Sequence, residues 1–261
     1  MEKRKLFLAL LLAAGSLTAG AQSKYDLNSD GKVNAADVVE LVNAIFSNAA
    51  EPNTQGEPPA GVEAVDLGLP SGTKWANMNV GAQKPEGYGL YFAWGETKGY
   101  TSDTSDGHSF GWANYKWCNG SRNTMTKYCT DSSYGTVDGK ATLDLEDDAA
   151  NMNWGSNWRM PTIDDIKELI NNTTSEWTTL NGIYGRRFTS KTNGNSIFLP
   201  AAGYRFSSNL YGQASGGDYW SSSLGDSGSN GARGLFFNSG DAYTDDSDRY
   251  LGFTVRPVLR N

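Results

Sequence analysis

Of the 48 residues from 203 to 250, 33 are Gly, Ser, Asn, Asp or Tyr. Few of these are strong helix formers, so the stretch favours short strands and turns pinned by its aromatic residues. Over the whole chain glycine accounts for 31 of 261 residues, aromatics make up 12% and charged residues only 20%. That balance describes a loop-rich domain around an aromatic core and excludes a disordered chain or a helical bundle. Short strands are predicted at 62–67, 187–190, 196–199, 219–222, 235–238 and 253–258. Two helices are predicted. One covers 144–151, with Leu145 and Ala149 facing inward. The other covers 163–172, with Thr162 as N-cap, Asp165 as its capping-box partner, and Ile166, Leu169 and Ile170 as the buried face. Together these elements predict a mixed α+β domain with two helices and long surface loops.

The chain carries 29 acidic against 22 basic side chains, a net charge of −7, and one histidine. Such a balance speaks against nucleic acid as a partner, because counterion release needs clustered Lys and Arg. With only His108, His-paired zinc sites are excluded, and one histidine would have to serve any triad. The carboxylates Glu146, Asp147, Asp148, Asp164 and Asp165 fall on or beside the predicted helices, where acids complement a helix dipole. No enzyme activity is therefore predicted. Residues 1–5 are basic, 6–14 are apolar, and Ala19-Gly20-Ala21 fits a cleavage site, so 1–21 reads as a secretory signal peptide. The apolar run is too short for a membrane span. The mature chain is thus expected to be secreted, periplasmic or at the cell surface. There Cys118 and Cys129 are expected to form a disulfide; two free thiols or a metal pair are the alternatives.

Within 22–47, residues 26–37 place oxygen ligands at the spacing of a calcium loop. Asp26, Asn28, Asp30, Asn34 and Asp37 offer side chains, Lys32 offers its backbone carbonyl, and Gly31 sits at the sharp turn. The alternative is an Asx-rich turn without an ion. Val38, Leu41, Val42, Ile45 and Phe46 follow on one helical face, which needs a covering partner. Residues 48–61 form a Pro-rich linker. The loop resembles one repeat of a dockerin module, which pairs two such repeats; only one is visible here.

The remaining 62–261 carries a second resemblance. Its blocks are Val65-Asp66-Leu67-Gly68-Leu69-Pro70-Ser71-Gly72-Thr73-Lys74-Trp75-Ala76, Tyr91-Phe92-Ala93-Trp94-Gly95-Glu96, Trp158-Arg159-Met160-Pro161-Thr162, Leu199-Pro200-Ala201-Ala202-Gly203-Tyr204-Arg205, Tyr219-Trp220-Ser221-Ser222-Ser223 and Gly252-Phe253-Thr254-Val255-Arg256-Pro257-Val258. They resemble the Fibrobacter succinogenes major paralogous domain. That resemblance implies a C-type lectin-like fold, similar to formylglycine-generating enzymes and to the variable proteins of diversity-generating retroelements. It also implies that 62–67 pairs with 253–258. The catalytic cysteine pair of formylglycine-generating enzymes lies near the C-terminal end of the domain. Here 200–261 contains no cysteine, so that chemistry is not expected.

Physically, Trp158, Trp220 and Phe253 read as core, and Arg159 and Arg256 as partners of buried carbonyls or acids. Gly95, Gly203 and Gly252 mark strained or crowded backbone. The segment between the last blocks has the composition of antibody contact loops, and in retroelement-diversified relatives it displays the varied ligand-binding residues. The candidate binding residues are Phe206, Asn209, Tyr211, Tyr219, Asp226, Asn230, Asn238, Asp241, Tyr243 and Asp245, flanked by Tyr204, Asp218 and Asp246. The expected function is binding of a protein or glycan ligand at this surface. The alternatives are a structural or adhesion module attached through the 38–46 helix, or a degenerate carbohydrate-active enzyme.

Overall fold

The computed structural model of the chain describes residues 58–259. The signal peptide expected at 1–21, the calcium loop expected at 26–37, the helical face expected at 38–46 and most of the expected linker lie outside the described residues. Among the described residues, fourteen strands, two α-helices and three single 3-10 turns make up the regular structure. The fold is therefore mainly β, built from several small sheets, and the α+β, C-type lectin-like expectation is corrected. The reason is visible locally: residues expected as loops extend or add strands, while the helices span only six and ten residues.

One sheet runs in the order β1 (Ala64–Asp66), β2 (Lys74–Ala76), β14 (Val258–Leu259), β4 (Trp158–Arg159). The first and last strands share this sheet but do not pair. Trp75 stands between them, opposite Val65 on one side and Val258 on the other. The turn through Pro70 and Ser71 folds β2 straight back onto β1, so β2 occupies the edge that the terminal strand was expected to take.

The central sheet has the order β12 (Ala242–Asp248), β11 (Gly231–Asn238), β10 (Gly216–Leu224), β13 (Phe253–Thr254), β3 (Tyr91–Phe92), antiparallel except where β10 meets β13. A third sheet joins β5 (Thr173–Leu180), β6 (Ile183–Ser190) and β7 (Ser196–Pro200). Asn181 and Gly182 close its first hairpin with positive φ at both positions, as a two-residue turn of matching twist requires. That Asn-Gly pair was the signal for β5, which had not been predicted. β8 (Tyr204–Phe206) and β9 (Asn209–Tyr211) form a separate hairpin.

The helices follow their caps. α2 (Ile163–Asn172) opens on Thr162 and Asp165 in a complete capping box, with Ile166 and Leu169 buried, as predicted. The predicted 144–151 helix divides instead. Leu145–Asp147 is a single 3-10 turn, and α1 (Ala149–Trp154) starts only after Asp148. Ala149 is buried, whereas Leu145 is 49% exposed and does not face inward.

Strand alternation divides the core. Trp220, Phe236 and Phe253 pack with Trp94, Trp154 and Trp158 on one face of the central sheet. Tyr219, Leu235 and Phe237 pack with Trp75, Leu169 and Phe188 on the other. The expected core residues Trp158, Trp220 and Phe253 are all buried. Arg256 is fully buried and donates to Asn79 Oδ1, Ala76 O and Phe198 O. Arg159 pairs with Asp165 at 2.6 Å. Both arginines therefore serve the interior, as expected. Among the described residues, no helix is long and apolar enough to cross a membrane.

Candidate functional site

At one end of the central sheet the burial of that first face is incomplete. Asp218 on β10 lies opposite Phe236 on β11, which lies opposite Tyr243 on β12. Directly paired residues project to the same side of a sheet, so the three form one row. Asp245, two residues beyond Tyr243, stands on the same face. Phe236 and Tyr243 stack with centroids 5.9 Å apart, and Phe253 meets Phe236 edge-on at 5.6 Å.

The hairpin β8–β9 supplies the opposite wall. Tyr204 and Phe206 alternate with Arg205, so the two rings face one way and the guanidinium the other. Arg205 is fully buried and held by both carboxylate oxygens of Asp106, at 2.6 and 3.0 Å. It also exchanges backbone hydrogen bonds with Gly252. A Cβ at Gly252 would collide with the Phe110 ring, so this crowded position next to β8 requires glycine. Tyr204 meets Phe253 edge-on at 6.1 Å, and Phe206 contacts Tyr250 at 6.0 Å. Between these walls runs a groove of about 430 Å³, completed by Tyr250 and Leu251 and lined by no basic residue.

Asp218 is the chemically unusual member. Its carboxylate makes no hydrogen bond or ion pair with any described residue, and burial pushes its pKa up to about 6. Asp148 provides the contrast. Burial also raises it to about 6, yet its carboxylate accepts from Ala150 N, Asn151 N and Met160 N and so caps α1 and anchors β4. That role is structural. Asp218 has the desolvation without the partners.

The sign of the linkage follows. With its folded-state value raised from 3.8 to about 6, Asp218 holds a proton in the folded chain over a window where the unfolded chain has lost it. Its contribution to stability falls as pH rises from about 4 to about 6, and above that window ionised Asp218 costs about 3 kcal/mol. Asp218→Asn is expected to raise stability at pH 7 by about that amount and to leave it nearly unchanged at pH 4. Urea unfolding at the two pH values measures this; equal effects at both would contradict it.

The groove gathers Phe206, Tyr243 and Asp245 from the predicted binding residues, with the flanking Tyr204, Asp218 and Asp246. Asp246 is spoken for by Arg233 at 3.2 Å. Tyr211 stacks on Tyr204 from the paired position on β9, and Asn209, paired with Phe206, is exposed beside it; neither lines the groove. Tyr219 is corrected. It is 2% exposed, and its hydroxyl donates to Pro200 O, because strand parity turns it to the opposite face from Asp218. The others are spread elsewhere. Asp226 pairs with Arg233. Asn230 donates to Asp248. The Asn238 side chain accepts from Gly240 N, and that of Asp241 from Ala242 N, in the turn between β11 and β12. Phe236, Tyr250, Leu251 and Phe253 line the groove without having been singled out for binding. The adjacent pair Phe236-Phe237 was a usable signal, since neighbours on a strand serve opposite faces.

Cys118 and Cys129 are free thiols, contrary to the expected disulfide. Cys118 Sγ points to Trp112 O at 3.2 Å and Cys129 Sγ to Asp131 O at 3.1 Å. Each is directed to its own loop carbonyl, which a bridge would sacrifice.

Among the described residues, carboxylate oxygens of Asp144, Glu146 and Asp147 come within 4.8 Å of one another. Lys127 Nζ sits at 2.7 Å from Asp144, 2.6 Å from Asp147 and 3.5 Å from Glu146. Lys140 and Lys116 add further pairs. The ammonium groups satisfy this cluster as a salt-bridge network, not as a metal centre. No family model matches the chain, and searches of curated proteins and of solved structures return no match.

Proposed function

We propose that the protein is a non-enzymatic ligand-binding protein acting outside the cytoplasm, and that the groove between β8–β9 and the central sheet is its binding site. The observation that carries this reading is convergence. Tyr204 and Phe206, Asp218, Phe236, and Tyr243 with Asp245 come from separate strands, yet line one concave surface. Rigid aromatic anchors with a few polar groups are the usual composition of such a site. Two of the anchors, Phe206 and Tyr243, are 42% and 45% exposed, so water reaches rings that a purely structural role would cover. The basic-apolar leader at 1–21 supports an extracytoplasmic location. The ligand class proposed from the sequence, a protein or glycan, is retained.

The double variant Phe206→Ala/Tyr243→Ala tests this. Because both rings are half exposed, it is expected to keep the thermal midpoint within a few degrees of wild type. Affinity for whichever immobilised glycan or peptide retains the wild-type chain is expected to fall at least tenfold, since losing two aromatic anchors removes about 2 kcal/mol or more. Unchanged affinity in a folded double variant would reject the groove as the site.

A further inference from the structure

The groove combines features that select among ligands. Its walls are aromatic: Tyr204, Phe206, Phe236, Tyr243, Tyr250 and Phe253. Its floor holds the unpartnered carboxylate of Asp218, with Asp245 exposed on the same face. The nearby guanidinium groups are committed elsewhere. Arg205 is bound by Asp106, and Arg233 pairs with Asp226 and Asp246. Arg249 is buried against carbonyls and the Trp94 ring. The groove therefore presents negative charge beside aromatic rings, with no cation to offset it.

A neutral ligand would deepen the burial of Asp218 without neutralising it. A cation would neutralise it and also gain from the ring quadrupoles. The kind of cation follows from hydrogen-bonding capacity. A primary ammonium carries three N–H donors and is strongly hydrated, so burying it beside one carboxylate leaves donors short of acceptors. A quaternary ammonium carries no N–H, and its methyl groups pack on aromatic faces. Six rings and one unpaired carboxylate match the second inventory.

We propose that the groove binds a quaternary ammonium head group, with the methyl groups against the aromatic walls and Asp218 as the counter-charge. This rests on the groove being the binding site and adds the chemistry of what enters it.

The test uses the full chain, with backbone amide NMR shifts followed during titration by three probes of similar size. Choline carries the quaternary ammonium, 3,3-dimethylbutan-1-ol is its uncharged isostere, and ethanolamine carries the primary ammonium. Choline is expected to saturate, shifting the amides of β8, β12 and Asp218, with affinity at least tenfold above either other probe. In Asp218→Asn, choline is expected to weaken about tenfold while the isostere is unaffected. Equal binding of choline and the isostere would overturn the charge selectivity and leave the groove as the binding site. Equal binding of ethanolamine would overturn the preference for a methylated head. Failure of choline to shift these amides overturns the inference outright, and the Phe206/Tyr243 double variant then judges the groove separately.

Discussion

Replacing Arg249 with Met is expected to lower the unfolding free energy by about 3–5 kcal/mol. The guanidinium is fully buried, and its donors reach Tyr115 Oη at 2.8 Å, Tyr128 O at 3.0 Å, Ser229 O at 2.8 Å and Lys127 O at 3.0 Å. It also lies 4.8 Å from the centroid of the Trp94 ring. Two effects oppose each other in the variant. Met removes a buried charge, which is favourable, but it strands three backbone carbonyls, two of them in fully buried hydrogen bonds. A buried acceptor without a donor costs about 1–3 kcal/mol, so three of them outweigh the relief. The consequence extends to the groove, because Arg249 immediately precedes Tyr250 and its carbonyl accepts from Trp94 N. A domain of this size loses about 2–4 °C per kcal/mol, so the midpoint should fall by on the order of 10 °C. Thermal unfolding measures it, and Arg249→Lys should recover part of the loss because an ammonium can still reach one or two carbonyls. A midpoint within two degrees of wild type in Arg249→Met would show that the carbonyls are satisfied some other way.

Trp220→Ala is expected to cost a similar amount, about 3–5 kcal/mol, through the cavity it opens. The indole is fully buried, stacks on Phe253 with centroids 4.0 Å apart, and donates from Nε1 to Phe92 O at 2.8 Å. It lies two residues along β10 from Asp218, on the same face, and it supports Phe253 from below. Loss of the ring therefore lets the groove floor relax, and ligand affinity should fall even in the fraction that remains folded. Trp220→Phe separates packing from hydrogen bonding. It keeps most of the ring contact and loses the bond to Phe92 O, so it should cost about 1–2 kcal/mol. Urea unfolding of the pair gives both values. If the two substitutions cost the same, the hydrogen bond dominates and the cavity argument fails.

The buried role of Trp220 was expected, whereas that of Arg249, inside the stretch read as a contact surface, was not. Trp220 stood in the short strand expected at 219–222, next to Tyr219 and ahead of three serines, and it is buried as expected of a core aromatic. Thr162 and Asp165 stood three apart before an apolar stripe, and the capping box formed because its hydrogen bonds are local. Arg256 beside apolar strand residues had only carbonyls and amides to satisfy it, and it found them. Signals of this kind need no knowledge of distant chain.

The residues that line the groove were legible only as a region. Composition marked 203–250 as a surface rich in adaptable contacts, but composition has no parity. On β10 it could not distinguish Asp218 from Tyr219, although one borders the groove and the other lies under the sheet. Polar residues such as Asn238 and Asp241 were candidates for contact and instead make the turn that joins β11 to β12.

What the amino-acid order determined by itself was the local structure: the capped helix, the strand-forming runs, the aromatic core residues and the enrichment that ends in a groove wall. The tertiary structure alone decided the mainly β architecture, the insertion of β2 between the first and last strands, the two separate thiols, and the face on which each side chain emerges. The physical reason is range. Caps and alternation are set by neighbours within a few residues, whereas the groove depends on contacts between distant segments: β8 exchanges backbone hydrogen bonds with Gly252, and Arg205 on it pairs with Asp106, 99 residues away.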